Sequence, residues 1–234
     1  SLILPTRVLL ATLLPLLAAC ASDFDARAEN ALREALARVV GPAASYEVHV
    51  TGASFDATRF ERVAFVGRRI ARANAPVLDR LELELDGVVV DRTEKRLVAL
   101  ADSHGALHVR AADLTEYLRR SAWIDDPAVV VSAPDRIAVS GAPRLAGIAL
   151  IGDEGIELQG RLFASGTELR LTIERVRIGA SSAPPLVRAL LERALNPLFD
   201  AAAYPLPAQF DAVEVGEGTI RIAASGSRLP RAAP

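Results

Sequence analysis

Several residue types that carry chemistry or hold charged partners are scarce in this chain of 234 residues. Cysteine occurs once, at Cys20, which excludes an intramolecular disulfide and any cysteine-based metal site. Aromatic residues make up 5% of the sequence, too few for the stacking platforms that hold bases or sugars. The formal net charge is −2 at pH 7, so there is no excess of positive charge to attract nucleic acid. We therefore predict that nucleic acid is not a partner.

Reactive motifs are missing as well. The sequence has no Walker A loop, no dinucleotide fingerprint and no Gly-x-Ser-x-Gly nucleophile elbow. Asp102-Ser103-His104 holds the residue types of a catalytic triad, but triads assemble from distant points of a chain, so these neighbours favour a polar turn. His104 and His108 have the spacing of a helical metal site but lie in an extended pattern. We predict no catalytic residue, no metal and no cofactor, and therefore no enzyme.

The first twenty residues have the pattern of a secretion signal. Arg7 precedes an apolar run from Val8 to Leu17, which is too short to cross a bilayer core of about 30 Å. The small pair Ala18-Ala19 directly before Cys20 resembles a bacterial lipobox, which implies acylation of the Cys20 thiol, with palmitate among the acyl groups, and cleavage before it. The alternative, a lone buried cysteine, does not explain the flanking residues. Since two or three acyl chains anchor a protein stably, Cys20 is the predicted lipidation site and membrane anchor.

This reading divides the chain into four parts. We expect a lipoprotein signal peptide over 1–19, an acylated tether over 20–24, one α+β domain over 25–225 and a flexible tail over 226–234. The expected location is the cell envelope, at the periplasmic face of a membrane. Ala21-Ser22 lacks the aspartate that marks inner-membrane retention in enteric bacteria, which favours the outer membrane where the organism has one.

Hydrophobic periodicity predicts helices near both ends of the domain. Apolar residues recur at helical spacing from Asp23 to Val40, and Gly41-Pro42 ends the pattern. Near the other end, Ser181-Ser182 and Pro184-Pro185 predict a helix start with hydroxyl caps and prolines in the first turn. The helix that follows has a broad apolar stripe.

Between these helices the apolar residues alternate, which predicts strands. Leu81, Leu83 and Leu85 alternate with acids before Gly87 breaks the phase, so either two antiparallel strands or one bulged strand fits. The inward phase changes again between 169 and 178, which predicts a bulge near Glu174-Arg175. Strands with one wet face are antiparallel. The predicted fold class is α+β, a long curved antiparallel sheet wrapped around amphipathic helices.

The order of these parts resembles the bacterial LmeA-like phospholipid-binding family, itself similar to the tubular lipid-binding (TULIP) superfamily. The resemblance covers about 25 to 225 and rests on the Ala-Asp-Leu-Thr-Glu-Tyr-Leu helix at 112–118, the strand at 169–178, the helix near 185–196, Pro-Leu-Pro at 205–207 and the hairpin at 213–222. It implies a half-tube with an apolar groove that takes acyl chains, and no catalytic residue to carry over.

A phospholipid or other acyl-chain ligand is therefore the predicted partner. The predicted groove lining comprises apolar residues that the periodicity turns inward: Leu32, Leu36, Val63, Phe65, Leu83, Leu171, Leu190 and Leu191. Burial of an acyl chain at about 0.8 kcal/mol per CH₂ supports binding without any charged contact. The alternative is a structural lipoprotein with a closed core, which docks an envelope protein partner.

Overall fold

The chain forms two antiparallel sheets and three helices over the residues that the computed structural model describes, which are 26–120, 124–145, 148–149, 155–203 and 208–226. The helices are α1 over 26–40, α2 over Ala111–Arg119 and α3 over Pro185–Leu195. The predicted signal peptide, Cys20 and most of the predicted tail lie outside the described residues.

Sheet A is built from both ends of the domain. Its strands are β1 (Ser45–Ala53), β2 (Arg59–Ile70), β3 (Leu78–Asp91), β4 (Arg96–Ala99), β5 (Asp102–Arg110), β13 (Gln209–Gly216) and β14 (Thr219–Gly226). They pair in the order β1-β2-β3-β5-β14-β13, with β4 on β3. β3 is one continuous strand across Gly87, whose φ is +62°. Its buried side chains change from Leu81 and Leu85 before this glycine to Val88 and Val90 after it, and the strand continues, so the single-strand alternative is confirmed.

Sheet B comes from the middle of the chain. Its strands are β6 (Ile124–Ser132), β7 (Arg136–Leu145), β8 (Ile148–Ala149), β9 (Ile156–Ser165), β10 (Glu168–Ile178), β11 (Ser181–Ser182) and β12 (Phe199–Asp200). The main order is β11-β10-β9-β7-β6. The register between β9 and β10 shifts between Ile173 and Arg175, which confirms the predicted bulge.

Helix α1 packs on the inner face of sheet A, as its apolar stripe predicts. Leu32 and Leu36 have no exposed surface and belong to the same core as Val63 and Phe65 of β2. Arg38 Nη1 donates to the Glu94 carbonyl after β3, and Arg72 Nη1, from the connection before β3, donates to the Val39 carbonyl. A straight strand of 14 residues spans about 46 Å. The connections before and after β3 both contact the last turn of α1, although β3 itself is long. β3 and its connections must therefore curve over the helix.

The two sheets join at β13, the edge strand of sheet A. Its Phe210 N–H donates to the Gly166 carbonyl of the β9–β10 turn at 2.8 Å, and its Val215 N–H donates to the Pro134 carbonyl of the β6–β7 turn at 3.1 Å. Buried apolar residues from both sheets, α1 and α2 form one continuous core. The α+β half-tube class is confirmed, with the predicted sheet divided in two.

Helix α3 takes a different position from α1. It lies along β10 of sheet B, and Leu195 is its buried residue. Ser181-Ser182 form β11 and do not cap the helix, which starts after Pro184 without a side-chain cap. The prediction of hydroxyl caps was therefore wrong, since pairing with β10 already uses this segment.

Candidate functional site

An apolar slot lies on the inner face of sheet A, beside the core that α1 fills. Leu83 lines the slot and lies directly opposite Phe65 of the neighbouring strand β2. Because Phe65 is buried in the core, Leu83 also lies on the inner face of the sheet. The lining residues come from three central strands and from the connection after β12: Leu78, Leu81, Leu83, Leu85, Ser103, His104, Leu107, Ala201, Ala208, Ala224 and Ser225. The slot therefore runs along β3 between the sheet and that connection.

Small residues of β5 and β14 lie beside Leu83 in the sheet. Leu83, Gly105 and Ala224 lie opposite one another across β3, β5 and β14, so the row loses side-chain volume towards β14. A Cβ at Gly105 would lie 2.0 Å from the Glu82 carbonyl oxygen. Because contacts below about 3 Å do not occur, the close approach of β3 and β5 requires glycine here. The notch beside Leu83 is thus a consequence of strand pairing.

Three polar residues border one end of the slot, and their polar atoms are bonded within the protein. Ser103 Oγ donates to the Gly226 carbonyl at 2.9 Å, and Ser225 Oγ donates to Asp211 Oδ1 at 2.9 Å. His104 Nε2 lies 3.1 Å from Glu84 Oε2. The rest of the lining is leucine and alanine, so the slot exposes an almost wholly apolar surface that matches the acyl part of an amphiphile.

The slot is narrow. Its volume is about 40 Å³, well below the roughly 300–1,000 Å³ of pockets that enclose a drug-sized ligand. A complete acyl chain therefore requires the slot to widen. The walls of the slot differ in how firmly they are held. β3, β5 and β14 are held by continuous strand pairing, whereas Ala201 and Ala208 belong to a connection.

A wider depression of about 460 Å³ lies against the outer face of the same strands. Its lining includes Ala106 and Ala223, with Glu82, Glu84, Asp211 and Arg221 as charged members. An acyl chain there would take these charged side chains and their partners out of water, which costs free energy even for paired charges. The inner slot is therefore the better match to an apolar ligand.

His104 and His108 each lie beside a carboxylate of β3. His104 faces Glu84, and His108 Nε2 lies 3.8 Å from Glu82 Oε2, so each is matched with a carboxylate of β3. Within the described ranges, no three His, Cys, Asp or Glu residues are grouped to hold a metal ion. None of the helices described in the structure is long and apolar enough to cross a membrane.

Comparison with known proteins adds one match. The family model for LmeA-like phospholipid-binding proteins matches residues 24–225, nearly the whole chain after the N-terminal apolar run. The chain belongs to the LmeA-like phospholipid-binding family. Neither the curated proteins nor the solved structures contain a significant match. Membership in the LmeA-like family confirms the predicted resemblance and supports lipid as the ligand class.

Of the eight predicted groove residues of this LmeA-like chain, Leu83 lines the slot. Leu32, Leu36, Val63 and Phe65 are fully buried in the adjoining core. Leu171 is buried in sheet B, Leu191 is half-buried, and Leu190 is 44% exposed on α3, so these three lie elsewhere in the fold.

Sequence reasoning missed most of the slot. Leu81 and Leu85 share the alternating pattern of Leu83, so the same pattern indicates them equally well. Ala201, Ala208 and Ala224 give no periodic signal, because alanine is common on every face in this chain. Their role depends on how the connection after β12 returns to sheet A.

Proposed function

We propose that this LmeA-like protein is a lipid-anchored envelope lipoprotein that binds the acyl part of a phospholipid or similar amphiphile in the slot of sheet A. Its task would be to hold or pass lipid during maintenance of the envelope. The observation that supports this most strongly is the slot, a leucine-lined apolar path along β3. No catalytic step is part of the proposal.

The residues that line the slot suggest how an amphiphile would lie in it. The acyl chain would follow Leu81, Leu83 and Leu85, and the polar headgroup would lie near Ser103 and His104. Burial contributes about 0.8 kcal/mol per CH₂, which favours widening of the slot as the chain enters. Movement of Ala201 and Ala208 away from β3 would widen it without breaking strand pairs.

Anchoring belongs to the proposal too. The lipobox pattern before Cys20 supports acylation there, and the absence of aspartate at Ala21-Ser22 supports the outer membrane over the inner one. Periplasmic exposure of the domain would follow from this anchor. Metabolic labelling with a palmitate analogue tests it, since the label should be lost in Cys20→Ser.

A second candidate is a structural lipoprotein that docks an envelope protein and binds no lipid. The narrowness of the slot favours it, because a volume of about 40 Å³ also fits a packing defect in a closed core. The two candidates differ in whether the purified domain carries lipid.

The deciding experiment is native mass spectrometry with solvent extraction of residues 23–234 produced in a bacterial cytoplasm. We expect a stoichiometric mass excess that extraction identifies as phospholipid. Leu83→Trp, which fills the slot, should remove the excess, and Val98→Trp is the matched control because Val98 is an exposed residue of β4 outside the slot lining.

An apo mass that persists after incubation with phospholipid vesicles would favour the docking lipoprotein. Bound lipid that survives Leu83→Trp would place the ligand somewhere other than this slot.

A further inference from the structure

Phe55 projects from the turn between β1 and β2 of sheet A. Its side chain is 99% exposed, the largest exposed fraction among the large apolar residues that the structure describes. Two positions later, Ala57 is buried and belongs to the core, so the turn itself is seated on the protein. Phe55 therefore adds nothing to the packing of the domain and presents a whole aromatic ring to its surroundings.

Hydrogen bonds within the turn hold its shape. The Ser54 N–H donates to the Arg59 carbonyl and the Ala57 N–H donates to the Ser54 carbonyl, both at 2.8 Å. Ser54 Oγ donates to Asp56 Oδ1 at 2.6 Å and accepts from the Arg59 N–H at 2.9 Å. Because these polar groups are already bonded within the protein, the turn loses less free energy on leaving bulk water than an open loop would.

The charges around the turn balance. Arg92 Nη1, from the turn between β3 and β4, donates to the Asp56 carbonyl at 3.0 Å, so the two turns lie side by side. The charged residues of 54–58 and 92–95 are Asp56, Arg92, Glu94 and Lys95, which together have a formal charge of zero. The feature that distinguishes this end of sheet A is therefore the apolar ring and not an excess of charge.

The predicted anchor can bring this turn to a membrane. Glu29, in the first turn of α1, lies beside β1, with its Oε1 3.8 Å from His49 Nδ1. Six residue steps along the chain separate His49 from Phe55, about 20 Å of extended strand. Six steps also separate Cys20 from residue 26, where α1 begins, and they span at most about 22 Å. An acylated Cys20 would therefore keep β1 close enough to the bilayer for Phe55 to reach it.

We infer that the turn 54–58 inserts Phe55 into the interfacial layer of the bilayer that holds the Cys20 anchor. The inference rests on the proposed anchor, which supplies the closeness to the membrane. The ring would lie between headgroups and acyl chains, where aromatic side chains are favoured, and Asp56 would stay among the headgroups. A second contact beside the acyl chains would restrict how the domain turns on its tether.

The size of the contact favours a bilayer over a protein partner. A phenylalanine side chain buries about 150–250 Å², whereas a stable protein interface buries about 800 Å² on each partner. A single exposed apolar residue is ordinary on a protein surface. Here the tether keeps the residue near a bilayer, which accepts one side chain without a complementary shape.

The test uses residues 20–234, in which Cys20 is the single cysteine, coupled to a maleimide phospholipid in vesicles of phosphatidylcholine. Coupling replaces acylation by the cell, so the result does not depend on lipidation in vivo. Phe55→Trp is the probe, and Val130→Trp is the control because Val130 is a 64% exposed apolar residue on β6 of sheet B. The emission of the native Trp123, measured in the unmodified protein, is subtracted. We expect a blue shift and quenching by brominated acyl chains at 55, and neither at 130.

Removal of the ring gives a second readout. A derivative with one myristoyl-length chain on Cys20 binds vesicles reversibly. Phe55→Ser should lower its ratio of bound to free protein about tenfold or more, as the burial of a phenylalanine side chain implies. The loss should be equal on phosphatidylglycerol and phosphatidylcholine, because the two turns have no net charge. Val130→Ser is the matched control and should leave the ratio unchanged.

Unchanged emission at 55 on vesicles, or a ratio that Phe55→Ser does not lower, would overturn the inference. Equal quenching at 130 would mean unspecific adsorption and would overturn it as well. A blue shift at 55 that grows with protein concentration without vesicles would identify a second copy of the chain as the occupant. The anchor is judged separately: absence of palmitate labelling in cells, with insertion at 55 in the coupled protein, would overturn the anchor and keep the turn as a membrane contact.

Discussion

At the scale of single residues, one carboxylate connects the end of sheet A to α2. Asp113, in the first turn of α2, accepts hydrogen bonds from Arg69 Nη1 at 2.6 Å and Nη2 at 2.8 Å and from Arg110 Nε at 3.0 Å. Burial alone would raise the pKa of Asp113, but the hydrogen bonds and charges of both arginines outweigh it and lower the pKa. The hydrogen bonds to Asp113 in turn raise the pKa of Arg69.

Asp113→Asn should destabilise the protein by about 2 kcal/mol at pH 7, the range for lost hydrogen bonds to a charged group. The folded pKa of Asp113 is lowered, so its contribution is present above the usual carboxylate value of about 3.9 and is lost as the pH falls through the folded value. Urea unfolding between pH 7 and pH 3 compares the free energy of unfolding of the unmodified protein with that of Asp113→Asn. The difference between them should be constant above about pH 5 and become smaller below it.

Asp79→Asn is the matched control. Asp79 approaches the same two arginines, at 3.4 and 3.1 Å, but its side chain is 36% exposed against 11% for Asp113. Asp79→Asn should therefore lower the free energy of unfolding by under about 1 kcal/mol. Equal costs for the two variants would mean that Asp113 is not the centre of the network.

Alternation of apolar and polar residues indicates which face of a strand a side chain occupies. Leu83 lies on the inner face of β3 and lines the slot, whereas His49 alternates with the apolar residues of β1 and its side chain is 79% exposed. The Asp113 network was not predicted. Arg69 lies 44 positions away in the sequence, and its left-handed backbone, with φ of +54°, gives no periodic signal.

At the scale of elements, α3 protects an edge of sheet B. Asn196, directly after the helix, accepts a hydrogen bond from the Leu171 N–H and donates one to the Leu171 carbonyl, both at 2.7 Å. One side-chain amide thus replaces a neighbouring strand at the centre of β10. Unpaired edges of this kind invite association with other chains.

Asn196→Ala should destabilise the protein by about 1–2 kcal/mol, because both backbone groups of Leu171 lose their partner. Hydrogen exchange, followed at single amides, should show faster exchange at Leu171. Asn196→Asp is the control because it retains an acceptor for the Leu171 N–H and loses the donor. Unchanged exchange at Leu171 in Asn196→Ala would mean that another group pairs this edge.

Most elements were predictable from the sequence, but their positions were less so. The bulge between Ile173 and Arg175 follows from a local change of phase in the apolar pattern. The apolar stripes of α1 and α3 look alike, yet α1 is buried and α3 covers an edge. Periodicity identifies an apolar side, but which surface covers it depends on contacts between distant segments.

At the scale of the whole molecule, the slot depends on segments from three parts of the chain. β3 and β5 come from the first half, β14 from the C-terminal hairpin and Ala201 and Ala208 from the connection after β12. No local pattern contains this arrangement, so the eight lining residues predicted from periodicity share only Leu83 with the slot. Family membership supplied the ligand class but not the site.

The length of the slot leads to a prediction about ligands. From Leu78 to Leu85 the path along β3 covers seven residue steps, about 23 Å. An acyl chain reaches about 15 Å, half the thickness of a bilayer core. Single-chain phospholipids should therefore gain affinity with every added CH₂, about fourfold each from 0.8 kcal/mol of burial, without a plateau at natural lengths. Calorimetric titration below the micelle concentration measures this slope.

Leu83→Trp separates slot binding from contact at the surface. If the acyl chain lies along β3, the tryptophan blocks the path beyond Leu83, so the variant should lose the dependence on chain length and keep any contribution of the headgroup. Val98→Trp, on β4 and outside the slot lining, should retain the slope. Affinity that is independent of chain length in the unmodified protein would mean that the apolar part of the ligand stays outside the slot.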